Sequence, residues 1–246
     1  MKLFHGTINI LKEPTIGYSQ YNSFKNWIKT LAEQRLDYGP GFYVTENEHQ
    51  ADLWAVNTYR DSGEVVEFID NPIKLPRRIE FDLNTDNLKV LNLCKESPQV
   101  TLAFLLKNNF NYIGRYKDNT YHQEAEYLQR VALEYIKDYE EYFKDFFESD
   151  YIIGPRFDSK YNRVVTDFCF KNFLLDQFKE LLQIGAMGPQ VFLKTTRAID
   201  NLQFIGYEEI EEERYYELIE EYDVSDIESE RQYKSIVKES FDYANK

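Results

Sequence analysis

The chain is poor in the residues from which many enzyme sites are built. Its 246 residues include only three histidines, two cysteines, two methionines and two tryptophans. Neither HExxH nor paired Cys/His spacing occurs, so the ligand sets of zinc sites are missing and no metal is expected. Cys94 and Cys169 stand far apart and outside any CxxC spacing, and Cys169 lies in an apolar pattern with Phe168, Phe170 and Phe173. Both are read as reduced thiols that pack as small hydrophobes, as in a cytosolic protein. GxxxxGKS/T and GxGxxG are missing as well, which excludes Walker and Rossmann phosphate cradles. No run approaches the roughly 18 apolar residues that span a bilayer. The opening MKLFHGTINILKEP has neither a long apolar stretch nor a small-residue cleavage site. The expectation is a soluble, cytoplasmic protein with no leader and no membrane contact.

Positive charge is also short, with 29 bases against 43 acids and a net charge of -14. Spread evenly, that excess would argue against nucleic acid, but the acid is concentrated in two stretches. Gln123 to Asp150 holds nine acids and three bases, and Tyr207 to Glu230 holds twelve acids and one base. These stretches carry -17, so the rest of the chain, with 22 acids and 25 bases, carries +3. A mildly basic body tolerates a dinucleotide pyrophosphate or an RNA strand. The acidic stretches read as solvated helix faces or as a partner-binding surface.

What is there in quantity is apolar and aromatic: 43% and 16% of residues, enough for one large core, or one core with an appended helical unit. Met1 to Thr7 reads as a short strand ending at a glycine turn. Phe24, Trp27, Ile28 and Leu31 repeat at helical spacing and predict a helix over Ser23 to Arg35, with Ser23 as N-cap. After the non-helical Tyr38-Gly39-Pro40-Gly41, Phe42 to Thr45 reads as a strand and Glu48 to Tyr59 as a helix with Ala51, Trp54 and Ala55 on one side. Arg78 to Leu83 and Leu88 to Leu93 read as strands joined by the turn formers Asn84 to Asn87, and Ser97 to Phe110 as a helix. Tyr121 to Phe147 reads as one long acidic, tyrosine-rich helix. Tyr151-Ile152-Ile153 reads as a strand broken by Gly154-Pro155, and Val164 to Ile184 as the most apolar helix. Gln190 to Lys194 and Leu202 to Ile205 read as strands, with an acidic, peripheral helical tail from Glu208 onward. No internal repeat occurs. The connections are too irregular for βαβ winding, so the fold class is α+β with a mainly antiparallel sheet.

Two short segments carry candidate chemistry. In His5-Gly6-Thr7, an imidazole stands beside exposed backbone donors and acceptors at a strand end, suited either to gripping an amide or ribose hydroxyl or to a structural role. In Gly39-x-Gly41-Phe42-Tyr43, followed by Trp54 on the next helix, the glycines let backbone pass close to a ligand. Tyr43 and Trp54 either sandwich a planar ring or are two more core aromatics among 38 others. Arg156 and Asp158, beside Gly154-Pro155, form a polar turn in which the arginine either meets a pyrophosphate or stays exposed. Lys194 and Arg197 are further candidates for phosphate or nucleic-acid contact.

In order and spacing these pieces resemble the ADP-ribosyltransferase superfamily, in the His-Tyr-Glu branch that includes diphtheria-toxin-like enzymes and poly(ADP-ribose) polymerases. More closely, LFHGT, DYGPGFYVTENEHQADLWA, DYIIGPRFD and GPQVFLKTTRAIDNLQFI are similar to successive signatures of a bacterial group of ADP-ribosyltransferase-like proteins. The resemblance implies a split antiparallel sheet over residues 1–206, with an acidic helical insertion at about 121–150 and an acidic helical extension over 207–246. It implies NAD as substrate and, as activity, mono-ADP-ribosyl transfer to a protein or nucleic acid by a toxin or phage-defence effector, with an antitoxin or other protein as partner. An NAD glycohydrolase and a non-enzymatic NAD- or ADP-ribose-binding module are the alternatives.

The resemblance also assigns roles. His5 would hydrogen-bond the adenosine-side ribose, and the Gly6 backbone would hold the carboxamide with Thr7 assisting. Gly41 would let backbone approach the ligand, Tyr43 and Trp54 would flank the nicotinamide ring, and Arg156 would meet the pyrophosphate. His5, Tyr43 and Gln190 form the implied catalytic set. Many transferases carry glutamate at the position of Gln190, where a carboxylate stabilises positive charge building on the ribose. Glutamine still accepts a hydrogen bond but supplies no charge. Glu208 and Glu209 are candidates to supply it if the fold brings them near.

Overall fold

Alternation of exposed and buried residues sets the strands. Along Arg77–Leu83, Ile79, Phe81 and Leu83 are buried while Glu80 and Asp82 are more exposed, the period of two expected of a strand with one face on a core. The computed structural model describes residues 1–7, 41–61, 75–113, 130, 132–155, 189–223 and 231. Its strands are β1 (Lys2–Thr7), β2 (Phe42–Thr45), β3 (Arg77–Leu83), β4 (Val90–Asn92), β5 (Tyr151–Pro155), β6 (Pro189–Leu193) and β7 (Leu202–Glu209). They form one seven-stranded sheet in the order β4-β5-β6-β2-β1-β3-β7, antiparallel throughout except between β4 and β5. The helices are α1 (Glu48–Asp61), α2 (Pro98–Ile113), α3 (Phe143–Glu148) and α4 (Thr196–Asp200), with further helical stretches at 132–138 and 212–223. The α+β class and the mainly antiparallel sheet expected from the sequence are both present. Among the described residues no helix is long and apolar enough to cross a membrane.

One face of the sheet buries Leu3, Phe42, Val44, Ile79, Phe81, Leu83, Val191 and Leu193, closed over by Ala198 and Ile199 of α4. Thr195 caps that short helix, its hydroxyl accepting from the Ala198 N–H at 3.2 Å. The opposite face receives α1, which crosses β1. The outer flank of α1 buries Leu53 and Val56 against Ile210 and Leu218. The His49 Nε2 to Glu221 contact (2.6 Å) and the Arg60 to Asp223 pair (2.5 Å) also fasten the 212–223 stretch to α1. The acidic C-terminal stretch therefore begins inside β7, which runs to Glu209, and continues as a helix packed on the body.

Several expectations are corrected. The helix expected over Tyr121 to Phe147 is interrupted: Tyr139 leaves helical geometry (φ −118°, ψ 17°), and a 3-10 turn at Glu140–Tyr142 precedes α3. Tertiary packing explains the break, since it turns Phe143 and Phe146 onto Phe104 of α2, with ring centroids 4.9 and 5.2 Å apart. Gly154-Pro155 does not break β5. Asp150 O accepts from Lys194 N, so alternation makes Pro155 and Pro189 a non-hydrogen-bonded pair in which neither proline's missing N–H is needed. Asn84 to Asn87 does form a turn, with Asn87 at φ 62° and the Asp86 N–H donating to Asn84 Oδ1, but it leads to β4 at the far side of the sheet order. Cys94 is exposed rather than packed. Gly39, Arg156, Cys169 and the expected helices Ser23 to Arg35 and Val164 to Ile184 lie outside the described residues.

Candidate functional site

Hydrogen-bond direction in the central strands defines an opening. Leu83 N donates to Met1 O, so in β1 the peptide groups of Met1, Leu3, His5 and Thr7 face β3, and those of Lys2, Phe4 and Gly6 face β2. The same alternation, carried from Asp150 and Lys194 through β5 and β6, turns Tyr43 and Thr45 toward β1. Phe4 pairs with Thr45, and a continued ladder would pair Gly6 with Tyr43. It does not continue: Phe4↔Thr45 is the single register pair between β1 and β2 among the described residues, against six between β1 and β3 and four between β2 and β6.

His5 occupies the place where the ladder stops. Its Nδ1 lies 2.8 Å from Tyr43 O, and a carbonyl can only accept, so Nδ1 carries the proton and Nε2 is the ring's acceptor. The carbonyl that the Gly6 N–H would take in a continued ladder thus receives its hydrogen bond from an imidazole. Desolvation by burial pushes the His5 pKa down to about 4, against the opposing effect of the Tyr43 hydrogen bond, and the ring is neutral at neutral pH. A histidine with a depressed folded pKa binds its proton more readily in the unfolded chain. Stability is therefore full above about pH 6.5 and declines as the pH falls toward 4. Between pH 7 and pH 5 the loss is expected to be about 2 kcal/mol, and His5→Gln is expected to remove most of it in urea titrations at the two pH values.

The pleat distributes the expected site residues over two faces. Gly6, Tyr43, Thr45, Gln190 and Phe192 share the α1 face, while His5 and Thr7 lie on the other, with the His5 ring tilted against Phe42 at 4.7 Å. Tyr43 is half-buried and its ring leans on Phe192, 4.8 Å between centroids. Trp54, half-buried on α1, stands directly over Gly6: a Cβ built on Gly6 would come within 2.9 Å of Trp54 Cβ and 1.9 Å of Ala51 O. At Gly41 it is β6 that approaches, with Phe192 Cε2 2.0 Å from a built Cβ. Both glycines are thus fixed by contacts inside the protein, whatever else they do. Thr7 is buried and directs its peptide group into the β1–β3 ladder.

Gln190 is 3% exposed, in register with Thr45 on one side and Gly154 on the other, and its Nε2 donates to Pro155 O at 3.5 Å. Glu208 and Glu209 do not supply it with charge: three strands separate β7 from β6, and these carboxylates pair with Arg78 and Arg77. Lys194 and Arg197 stand at the other end of β6. The Lys194 ammonium donates to the carbonyls of Phe146, Phe147 and Ser149 at the C-terminal end of α3, and Arg197 lies 3.3 Å from Asp150. Both have structural work there. At Asp150 burial alone would raise the carboxyl pKa, but the Lys89 N–H, the Thr195 hydroxyl and Arg197 together hold it below its ordinary value.

Two groups near the opening escape a reading by motif. Arg78, the register partner of Gly6, reaches both Asp52 oxygens at 2.7 and 2.8 Å and also meets Glu48 and Glu208. Gln50, in the first turn of α1, is fully buried against Thr45. A glutamine at a helical position next to Ala51 is the one sign of the latter in the sequence. Residues 1–204 match the family described as "Protein of unknown function (DUF3990)". No curated protein and no solved structure matches the chain.

Proposed function

The chain belongs to the DUF3990 family, and we propose that it is an NAD-dependent mono-ADP-ribosyltransferase that moves ADP-ribose to a protein or nucleic acid, as a cytoplasmic toxin or phage-defence effector. The observation that carries this reading is the Gly6 peptide group, which faces the β1–β2 opening while His5 supplies the hydrogen bond to Tyr43 O. A primary carboxamide offers an N–H and a C=O, complementary to the C=O and N–H of one peptide group. Nicotinamide carries that carboxamide on a flat ring. Tyr43 and Trp54, on the Gly6 face, offer that ring aromatic surface. Gln190, farther along the same face, donates from Nε2 to Pro155 O, and on this reading its Oε1 accepts from a ribose hydroxyl.

Transfer breaks the nicotinamide–ribose bond. Nicotinamide leaves with the bonding electrons and a nucleophile on the target takes the ribose carbon. An amide at Gln190 positions the ribose but forgoes the charge of a carboxylate, a difference of about 1.5–3 kcal/mol in a desolvated site. On this reading the β1–β2 opening is the split of an ADP-ribosyltransferase-like sheet. The acidic stretches at 121–150 and 207–246 are additions that offer an antitoxin or other protein partner a surface.

Incubation of the purified protein with labelled NAD and cell lysate is expected to label protein or RNA, with at least a tenfold loss in Tyr43→Ala. Nicotinamide release without a labelled macromolecule would make the protein an NAD glycohydrolase, and binding without turnover an NAD- or ADP-ribose-binding module. Absence of NAD binding overturns the reading.

A further inference from the structure

Gln50 is fully buried, and nothing in the chemistry above uses it. Thr45 Oγ1 donates to its Oε1 at 2.8 Å, and among the described residues its Nε2 has no hydrogen-bond partner. Turning the amide over does not cure the deficit. Nε2 would then donate to Thr45 Oγ1, the Thr45 hydroxyl would donate to Pro189 O at 3.3 Å, and Oε1 would be left over. In either orientation one polar atom of a fully buried amide is unsatisfied, a deficit that native cores rarely keep without a use for it.

The placement of this amide is specific. Thr45 is the cross-strand neighbour of Gln190 and shares the α1 face with Tyr43 and Gly6. Asn47, which caps α1 by accepting from the Gln50 N–H at 3.1 Å, holds the residue over the end of β2. We propose that Gln50 is a ligand-binding residue whose unsatisfied amide atom is completed by a ribose hydroxyl of NAD, beside Gln190. A hydroxyl both donates and accepts, so it satisfies either orientation of the amide, whereas an unprotonated phosphate oxygen only accepts and an ammonium only donates. This assignment rests on the NAD reading above and adds to it the residue that selects a sugar.

Gln50→Met keeps the side-chain length and removes both polar atoms, and Thr45 retains Pro189 O within reach; Gln50→Leu is a second apolar variant. The ligand-free variants are expected to melt at or above the wild-type temperature, because an unsatisfied buried group has been removed. Calorimetric titration is expected to show NAD binding at least tenfold weaker in both variants, with binding of nicotinamide alone, which has no ribose, unchanged. Lower melting temperatures with undiminished NAD affinity would make the amide structural, as would failure of both variants to fold, and either overturns the proposal. An equal loss for NAD and nicotinamide overturns the ribose assignment. If the wild type binds neither compound, the NAD reading falls and this one with it; if all three proteins bind NAD alike, only the role of Gln50 falls.

Discussion

Gly6→Ala is expected to lower the unfolding free energy by about 3 kcal/mol or more, or to prevent folding. A methyl group at this position would stand 1.9 Å from Ala51 O, 2.6 Å from Ala55 N and 2.9 Å from Trp54 Cβ. The first two are backbone atoms of α1, so no side-chain rotation relieves the clash and the helix must lift from β1. That movement would spoil the packing of Leu53 and Val56 on Ile210 and Leu218 on its far side. Gly206→Ala is the control: a Cβ there meets nothing within 4 Å among the described residues, and the change is expected to alter stability by no more than about 1 kcal/mol. Urea titration of the two variants beside the wild type checks the contrast. Similar, small losses in both would contradict the close contact of α1 with β1.

Arg78→Met is expected to cost about 3–5 kcal/mol at pH 7, because it strips a nearly buried Asp52 of its counter-charge. Glu48 and Glu208 are more than half exposed and contribute little; Asp52, 11% exposed, carries the effect. Burial already raises the Asp52 pKa above its ordinary value, and Arg78 opposes that rise. Without the guanidinium the carboxyl moves higher still. A raised carboxyl costs the fold most at pH values above its folded pKa, and the cost declines as the pH falls from there toward the ordinary carboxylate value of the unfolded chain. The difference between wild type and variant should therefore shrink on going from pH 7 to pH 5. The acid loss due to His5 is common to both proteins and cancels in that difference. An equal loss at both pH values would show that Arg78 contributes packing alone.

Strands and α1 are legible in the sequence because they depend on local periodicity, whereas the grouping of Gly6 with Tyr43 and Trp54 comes from the resemblance and not from spacing. Ile79, Phe81 and Leu83 alternate with acids, and Ala51, Trp54 and Ala55 recur at helical intervals. What periodicity cannot give is register. That Gly6 faces β2, that His5 takes Tyr43 O, and that β1 and β2 part after Phe4↔Thr45 all follow from which residues pair across strands distant in the chain. The same limit hides the neighbours of Gly6 and Gly41, which are α1 and β6 atoms, and the buried environment of Gln50. At Tyr139 and Gly154-Pro155 local propensity gives way to long-range partners, the Phe104 contacts in one case and a non-hydrogen-bonded proline pair in the other.

The proposed site depends on a carboxamide meeting the Gly6 peptide group, and competition for bound NAD tests that most directly. Nicotinamide can give an N–H to Gly6 C=O and accept from Gly6 N–H. Nicotinate has the same ring and nearly the same shape, but its carboxylate has no proton to give and places a negative charge against a carbonyl oxygen. In a calorimetric titration, nicotinamide is predicted to displace NAD from the wild-type protein and nicotinate to fail at tenfold higher concentration. Equal competition by the two, or displacement by neither, would contradict it.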